Sequence, residues 1–156
     1  MVEAVKVAAT TGADADEWAS MRQALWPKAG LAAHAEEIGA LLARPGDTIA
    51  LVARDTQGRA AGFAEASLRH DYVNGCETSP VVFLEGIYVM PDFRRRGVAR
   101  LLVAAVEAWG LAQGCREFGS DTSPDNAASR MMHVALGFEE TQRVVFYRRL
   151  IGEAGR

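Results

Sequence analysis

Apolar and polar positions along this chain follow two periods in turn, and the switches between them mark out its elements. Val2 to Ala9 reads as a short strand. Trp18, Met21 and Leu25 recur at helical spacing behind Asp14 and Asp16, either of which can cap a helix, and Pro27 ends it. Ala33 to Ala43 is a second predicted helix, with Ile38, Leu41 and Leu42 on one side and Pro45-Gly46 as its stop. The period then changes. Thr48 to Ala53 and Ala60 to Leu68 are strand-like runs around a turn at Asp55 to Gly58, and Val81 to Met90 is a third, followed by Pro91. Val98 to Gln113 returns to helical spacing through Leu101, Leu102, Ala105, Val106 and Trp109, with Gly114 as its C-terminal residue. A strand near Glu117 to Thr122, a helix from Pro124 or Asn126 to Leu136 and a last strand from Thr141 to Leu150 complete the series.

The order is strand, two helices, three strands, helix, strand, helix, strand. It predicts an α/β (α+β) fold, a mixed central sheet flanked by helices, as one domain over residues 1–156. An apolar share of 49% over 156 residues supplies one core, and too little for two comfortable domains. The first residues are acidic where a signal peptide would be basic, no apolar run reaches membrane-spanning length, and Cys76 and Cys115 stand apart. These features lead us to expect a cytoplasmic protein with no membrane partner. No spacing of His or Cys suggests a metal, so His70 and His133 read as structural. A net charge of −3 argues against nucleic acid and permits a cationic substrate.

Against that balance stands "MPDFRRRGVARLL", three arginines and a glycine at the start of a helix. A strand, a turn and a helix N-terminus aim unpaired N–H groups outward and form an anion site, with Gly97 letting backbone approach a phosphate and the arginines adding charge-assisted bonds. Neither G-x-x-x-x-G-K-[ST] nor G-x-G-x-x-G is present, so the phosphate ligand is of another kind. Glu85 is the second anomaly. On a period of two it shares a face with Val81, Phe83, Ile87 and Val89, while Val82, Leu84, Tyr88 and Met90 take the other, so it sits in a strand apolar on both faces. It is either paired with an arginine or turned into a cleft. Gly86 beside it suits a bulge. Asp121 is either a turn residue or a carboxylate at the crevice end of a strand; Asn126 is a residue of the next helix's N-terminus. Trp26 and Tyr72 read as partly buried core aromatics, and Asn74-Gly75 as a turn.

Arg94-x-x-Gly97-x-Ala99 resembles the [Q/R]-x-x-G-x-[G/A] signature of the GNAT N-acetyltransferases, and "SPDNAASRMMHVALGFEE" resembles their second cofactor segment. "RHDYVNGCETSPVVFLEGIYVMPDFRRRGVA" and "SDTSPDN" are similar to the aminoglycoside 6'-N-acetyltransferases among them, over nearly the whole chain. The resemblance implies splayed central strands at an acetyl-CoA site, with the cosubstrate held by Ile87, Tyr88 and Val89, by Arg94, Arg95, Arg96, Gly97, Val98, Ala99 and Arg100, and by Asn126. It implies an aminoglycoside site made by Trp26, Tyr72, Glu85, Asp121 and Gln142, where several relatives carry Glu in place of Gln142. Glu85 or Asp121 then deprotonates the amine and Tyr147 protonates the leaving thiolate. The implied assembly is a homodimer, in some relatives with exchanged C-terminal strands, for which "VVFYRRLI" is apolar enough. A polyamine, a peptide N-terminus or a lysine is the alternative acceptor within the same family.

Overall fold

The computed structural model describes residues 4–152, so the predicted strand start at Val2 lies outside the described residues. The chain divides into two compact units, Met1–Asp121 and Thr122–Arg156. In the first, the order is β1 (Lys6–Ala9), α1 (Ala15–Leu25), α2 (Leu31–Ala43), β2 (Thr48–Arg54), β3 (Ala60–Arg69), β4 (Val81–Val89), α3 (Val98–Ala112) and β5 (Phe118–Gly119). The strands form one sheet in the order β1-β2-β3-β4-β5, antiparallel from β1 to β4 and parallel between β4 and β5. Each face of this sheet carries a core of its own. On one, Trp18 and Met21 of α1 and Ile38 of α2 pack with Val52 and Phe63; on the other, Val98, Leu102 and Val106 of α3 pack with Ala64, Ala66, Val82 and Leu84.

The start of α1 differs from expectation. Thr11 forms a capping box with Asp14 around the single turn Gly12–Asp14, and Asp14 makes no side-chain cap on α1. Its carboxylate instead accepts from the Thr11 amide at 2.7 Å and Arg54 Nη2 at 2.6 Å, both charge-assisted bonds.

The pairing of β3 with β4 contains the feature that matters most for the site. Glu65 is opposite Gly86, yet the next residue, Ala66, is opposite Leu84, so Glu85 is the extra residue of a β-bulge. A bulge restarts the alternation of side chains. Beyond it Ile87 and Val89 pack with the α3 core and Tyr88 with the α1–α2 core, so the faces read on an unbroken period of two reverse after Glu85. The strand is buried from Val81 to Leu84 and opens at Glu85.

The second unit holds α4 (Ala127–Ala135), and the strand predicted over Thr141 to Leu150 is not formed. Residues 139–151 are exposed, including Val145, Phe146, Tyr147 and Ile151. The apolar, β-branched and aromatic residues are present, but a strand exists only against a partner edge, and among the described residues no ladder includes this segment.

Candidate active site

Glu85 reaches the surface because the bulge turns it out of the ladder, and its two partners come from neighbouring β3. Ser67 Oγ donates to Oε1 at 2.6 Å, and Arg69 Nη2 lies 2.9 Å from Oε1 and 3.0 Å from Oε2. The Arg69 guanidinium rests 3.6 Å from the centroid of the Phe83 ring. Of the alternatives left open by the sequence, the structure shows the pairing with an arginine, and the Glu85 side chain remains 36% exposed.

Trp26, just past α1, lies against the next residue of the same bulge. A Cβ placed on Gly86 would fall 2.4 Å from Trp26 Cζ2, so only glycine admits the indole there. The Trp26 carbonyl accepts from His34 Nε2 at 3.0 Å, which leaves Nδ1 as the acceptor for Arg22 Nε at 3.2 Å. The His34 ring stacks on the indole at 6.3 Å between centroids, and the Arg22 guanidinium stands 5.0 Å from it. Arg22 also pairs with Glu37 and, at 3.4 Å, with Glu65, whose Oε2 accepts from Trp18 Nε1 at 2.8 Å. Burial pushes the Glu65 carboxyl up, against the pull of Arg22 and Trp18. Sequence reasoning missed this network and the Ser67–Arg69 pair. The available signal was the one that singled out Glu85: Glu65 is a carboxylate within an apolar strand, "AAGFAEASLR".

The segment between β3 and β4 borders a cleft of about 490 Å³ lined by His70, Asp71, Tyr72, Cys76, Glu77, Thr78 and Ser79. Tyr72 is 76% exposed, contrary to its reading as a core aromatic; neighbouring Val73 takes the core place, against Val81 and Phe83. Glu117 pins the far side of the loop, accepting the amides of Glu77 at 2.9 Å and Thr78 at 2.7 Å. Those bonds and the Thr78 hydroxyl hold its carboxyl below the usual range. Asp121 is exposed two residues past the end of β5.

At the start of α3 the backbone takes left-handed conformations at Arg95 (φ 62°) and Gly97 (φ 80°), the kind of turn from which anion-binding concavities are built. Gly97 is the N-cap of a 15-residue helix, and a Cβ there would meet nothing within 4 Å. Its constraint is therefore conformational. Arg94 is folded back, with Nε donating to the Val89 carbonyl at 3.0 Å and the guanidinium 5.5 Å from the Tyr88 ring. Arg96 flanks Phe93. The β4–β5 ladder stops at Phe83 and Gly119, so the side of Ile87 to Val89 facing away from β3 has no strand beside it among the described residues. In the second unit, Asn126 caps α4, its side chain accepting from the Ser129 amide at 3.0 Å; Gln142 and Tyr147 lie in the exposed segment that forms no strand. No group of three or more His, Cys, Asp or Glu able to hold a metal occurs among the described residues, and no helix there is long and apolar enough to cross a membrane.

The sequence profile of the acetyltransferase (GNAT) family matches residues 15–138. The chain belongs to this family. It is 54% identical over 134 residues to the aminoglycoside N(6')-acetyltransferase type 1 of Salmonella typhimurium, covering 86% of this chain and 91% of that one. To the enzyme of the same name from Serratia marcescens it is 50% identical over 137 residues, covering 88% and 93%. Among solved structures it is similar to AAC(6')-Iy in complex with the bisubstrate analog CoA-S-monomethyl-acetylneamine, with TM-score 0.88, 48% identity and coverage of 95% and 99%. It is also similar to the aminoglycoside 6'-N-acetyltransferase AAC(6')-Ih from Acinetobacter baumannii, with TM-score 0.90, 40% identity and coverage of 96% and 100%. The GNAT enzyme takes acetyl-CoA as its acetyl donor, and its residues suit that cosubstrate: a helix N-terminus and left-handed turn for phosphates, and an open strand edge leading away from them.

Proposed function

We propose that this enzyme transfers the acetyl group of acetyl-CoA to the 6'-amino group of aminoglycosides, by direct attack in a ternary complex, and so confers resistance to them. One observation carries the reading: β4 presents an accessible carboxylate at Glu85 and an unpaired backbone edge at Ile87 to Val89, two residues further on. The first is suited to an ammonium, the second to an extended thioester arm.

The substrate's ammonium has no free lone pair, so it must first lose a proton. Glu85 holds the amine while Asp121 takes the proton, directly or through water. The amine nitrogen then bonds to the thioester carbonyl carbon, whose oxygen is held by a β4 amide as charge develops on it. The C–S bond breaks, the CoA thiolate takes a proton for which Tyr147 is the donor, and the nitrogen gives its second proton to the tyrosinate so formed, leaving a neutral amide. Trp26 and Tyr72 wall the sugar rings and Arg94 to Arg100 hold the cofactor; Gln142 and Asn126 take the substrate and cofactor roles that the family resemblance gives them. The enzyme works in the cytoplasm as a homodimer; the exposed Val145, Phe146 and Ile151 supply the apolar surface for a second copy. The test is thiol release from acetyl-CoA. Turnover is expected with tobramycin and kanamycin A, which offer a 6'-amine, and not with paromomycin, which has a 6'-hydroxyl. Turnover with polyamines or peptides alone would overturn the substrate assignment.

A further inference from the structure

A carboxylate beside an amine poses a conflict for acetyl transfer. It attracts the ammonium, and by the same field it raises the amine's proton affinity, opposing the deprotonation that the reaction requires. In this enzyme that field is balanced from within the sheet. Arg69 contacts both oxygens of Glu85, while Ser67 and the Phe83 ring fix the pair from the sides. Oε2 carries the lighter load, with Arg69 Nη2 at 3.0 Å, and is where an incoming amine can be received.

We propose that Arg69 is a charge-balancing residue of the acetyltransferase site: it neutralises Glu85 so that a bound amine is held there without being locked as ammonium. This rests on the aminoglycoside reading above. An amine on Glu85 then meets a neutral pair, and loses its proton at lower pH than it would beside Glu85 alone. The cost is weaker ground-state attraction, which a substrate with several ammonium groups recovers from the acidic loops around it.

Among the other ionisable groups, Asp71, Glu77 and Asp121 are exposed loop carboxylates, His70 pairs with Asp47 at 3.0 Å, and the remaining ones have partners of their own. From the helices, Arg22 and His34 are tied to Glu65 and Trp26; beyond the bulge, Tyr88 lies under Arg94; from the loop, Cys76 lies near Glu117.

The test is the pH dependence of kcat for a 6'-amine substrate, with wild-type turnover as its precondition. Absence of wild-type turnover would sink the functional reading, whereas the variants decide the role of Arg69. Arg69→Gln should move the half-maximal pH of kcat upward by about one unit, the shift that an unbalanced charge in contact produces, and lower KM at neutral pH. Arg69→Lys should keep the wild-type midpoint. Glu85→Gln, leaving Arg69 uncompensated, should move the midpoint down whatever happens to the rate; if Arg69→Gln does not fold, Arg69→Met, which keeps the side chain's length without its charge, takes its place and should raise the midpoint in the same way. A midpoint unmoved or lowered in Arg69→Gln, or unmoved or raised in Glu85→Gln, would overturn the proposal, because a purely structural role changes rates and melting without that opposed pair of shifts.

Discussion

Glu85 and Asp121 are both exposed carboxylates at the sheet, and the proposed reaction gives them different work. Glu85 already accepts from Ser67 and Arg69, which fix its carboxylate in place to orient an amine. Asp121→Asn is therefore expected to lower kcat by about a hundred- to ten-thousand-fold, the usual worth of a general base, while Glu85→Gln acts more on aminoglycoside KM. Steady-state kinetics at saturating acetyl-CoA separates the two. Gly86 is the neighbouring test of geometry. Its alanine variant forces a methyl group into the Trp26 ring, an overpacking that costs about 1–3 kcal/mol, and should raise aminoglycoside KM while the dissociation constant of CoA, read by calorimetry, stays near wild type. Glu85 was legible in the sequence because a charge in a doubly apolar strand has to be accounted for. Its partner was not: that Arg69 meets Glu85 depends on the β3–β4 register, and the register depends on a bulge whose position a period-of-two pattern suggests through Gly86 without fixing.

At the scale of elements, α1 and α2 are locked to β3 by a buried polar network and not by apolar packing alone. Arg22 bridges Glu37 of α2 and Glu65 of β3, with His34 and Trp26 closing the set. The pH behaviour of this joint follows from Glu65. Burial raises its proton affinity above the ordinary Glu value of 4.5, so its contribution to stability is full below that value and is lost as pH rises through the raised one. Glu65→Gln keeps an acceptor for Trp18 and has no such titration. The melting temperature of wild type relative to this variant should therefore fall as pH is raised from about 4.5 toward neutrality. Scanning calorimetry at matched buffers checks it, and a gap that widens in favour of wild type would contradict the burial argument. Helices and strands of this unit were legible to within a few residues wherever an apolar stripe met a core, as in α3, whose start at Val98 follows the glycine that the sequence marked. The segment over 141–150 shows the limit. Its run from Val144 to Tyr147 is as apolar as the middle of β2, but pattern records which side chains need burial and says nothing of whether a partner edge lies within the same chain.

That limit leads to the whole molecule. Exposed Phe146 (84%) and Ile151 (97%) leave the second unit with apolar surface that a second copy can cover, so light scattering is expected to return the mass of a dimer, and aspartate at Val145 and Phe146 to reduce it to a monomer. Charge operates over the same distances. The chain carries net −3, and in the first unit Asp71, Glu77, Glu85 and Asp121 are all exposed, while Arg94, Arg95 and Arg96 concentrate positive charge at the start of α3. One molecule thus presents fields of opposite sign to two substrates of opposite sign, a polycation and a polyanion. Steering of this kind extends over the screening length, which shrinks from about 10 Å at 0.1 M salt to about 3 Å at 1 M. Both KM values should therefore rise with salt, that of the aminoglycoside more steeply for substrates bearing more amino groups, and kcat should change little, because the chemical step takes place within contact distance. Kinetics across that salt range with acceptors of two and five amino groups measures the slopes. Equal slopes for the two would mean that the acidic loop charges make no contribution to capture, and that Glu85 and its immediate contacts alone select a cation.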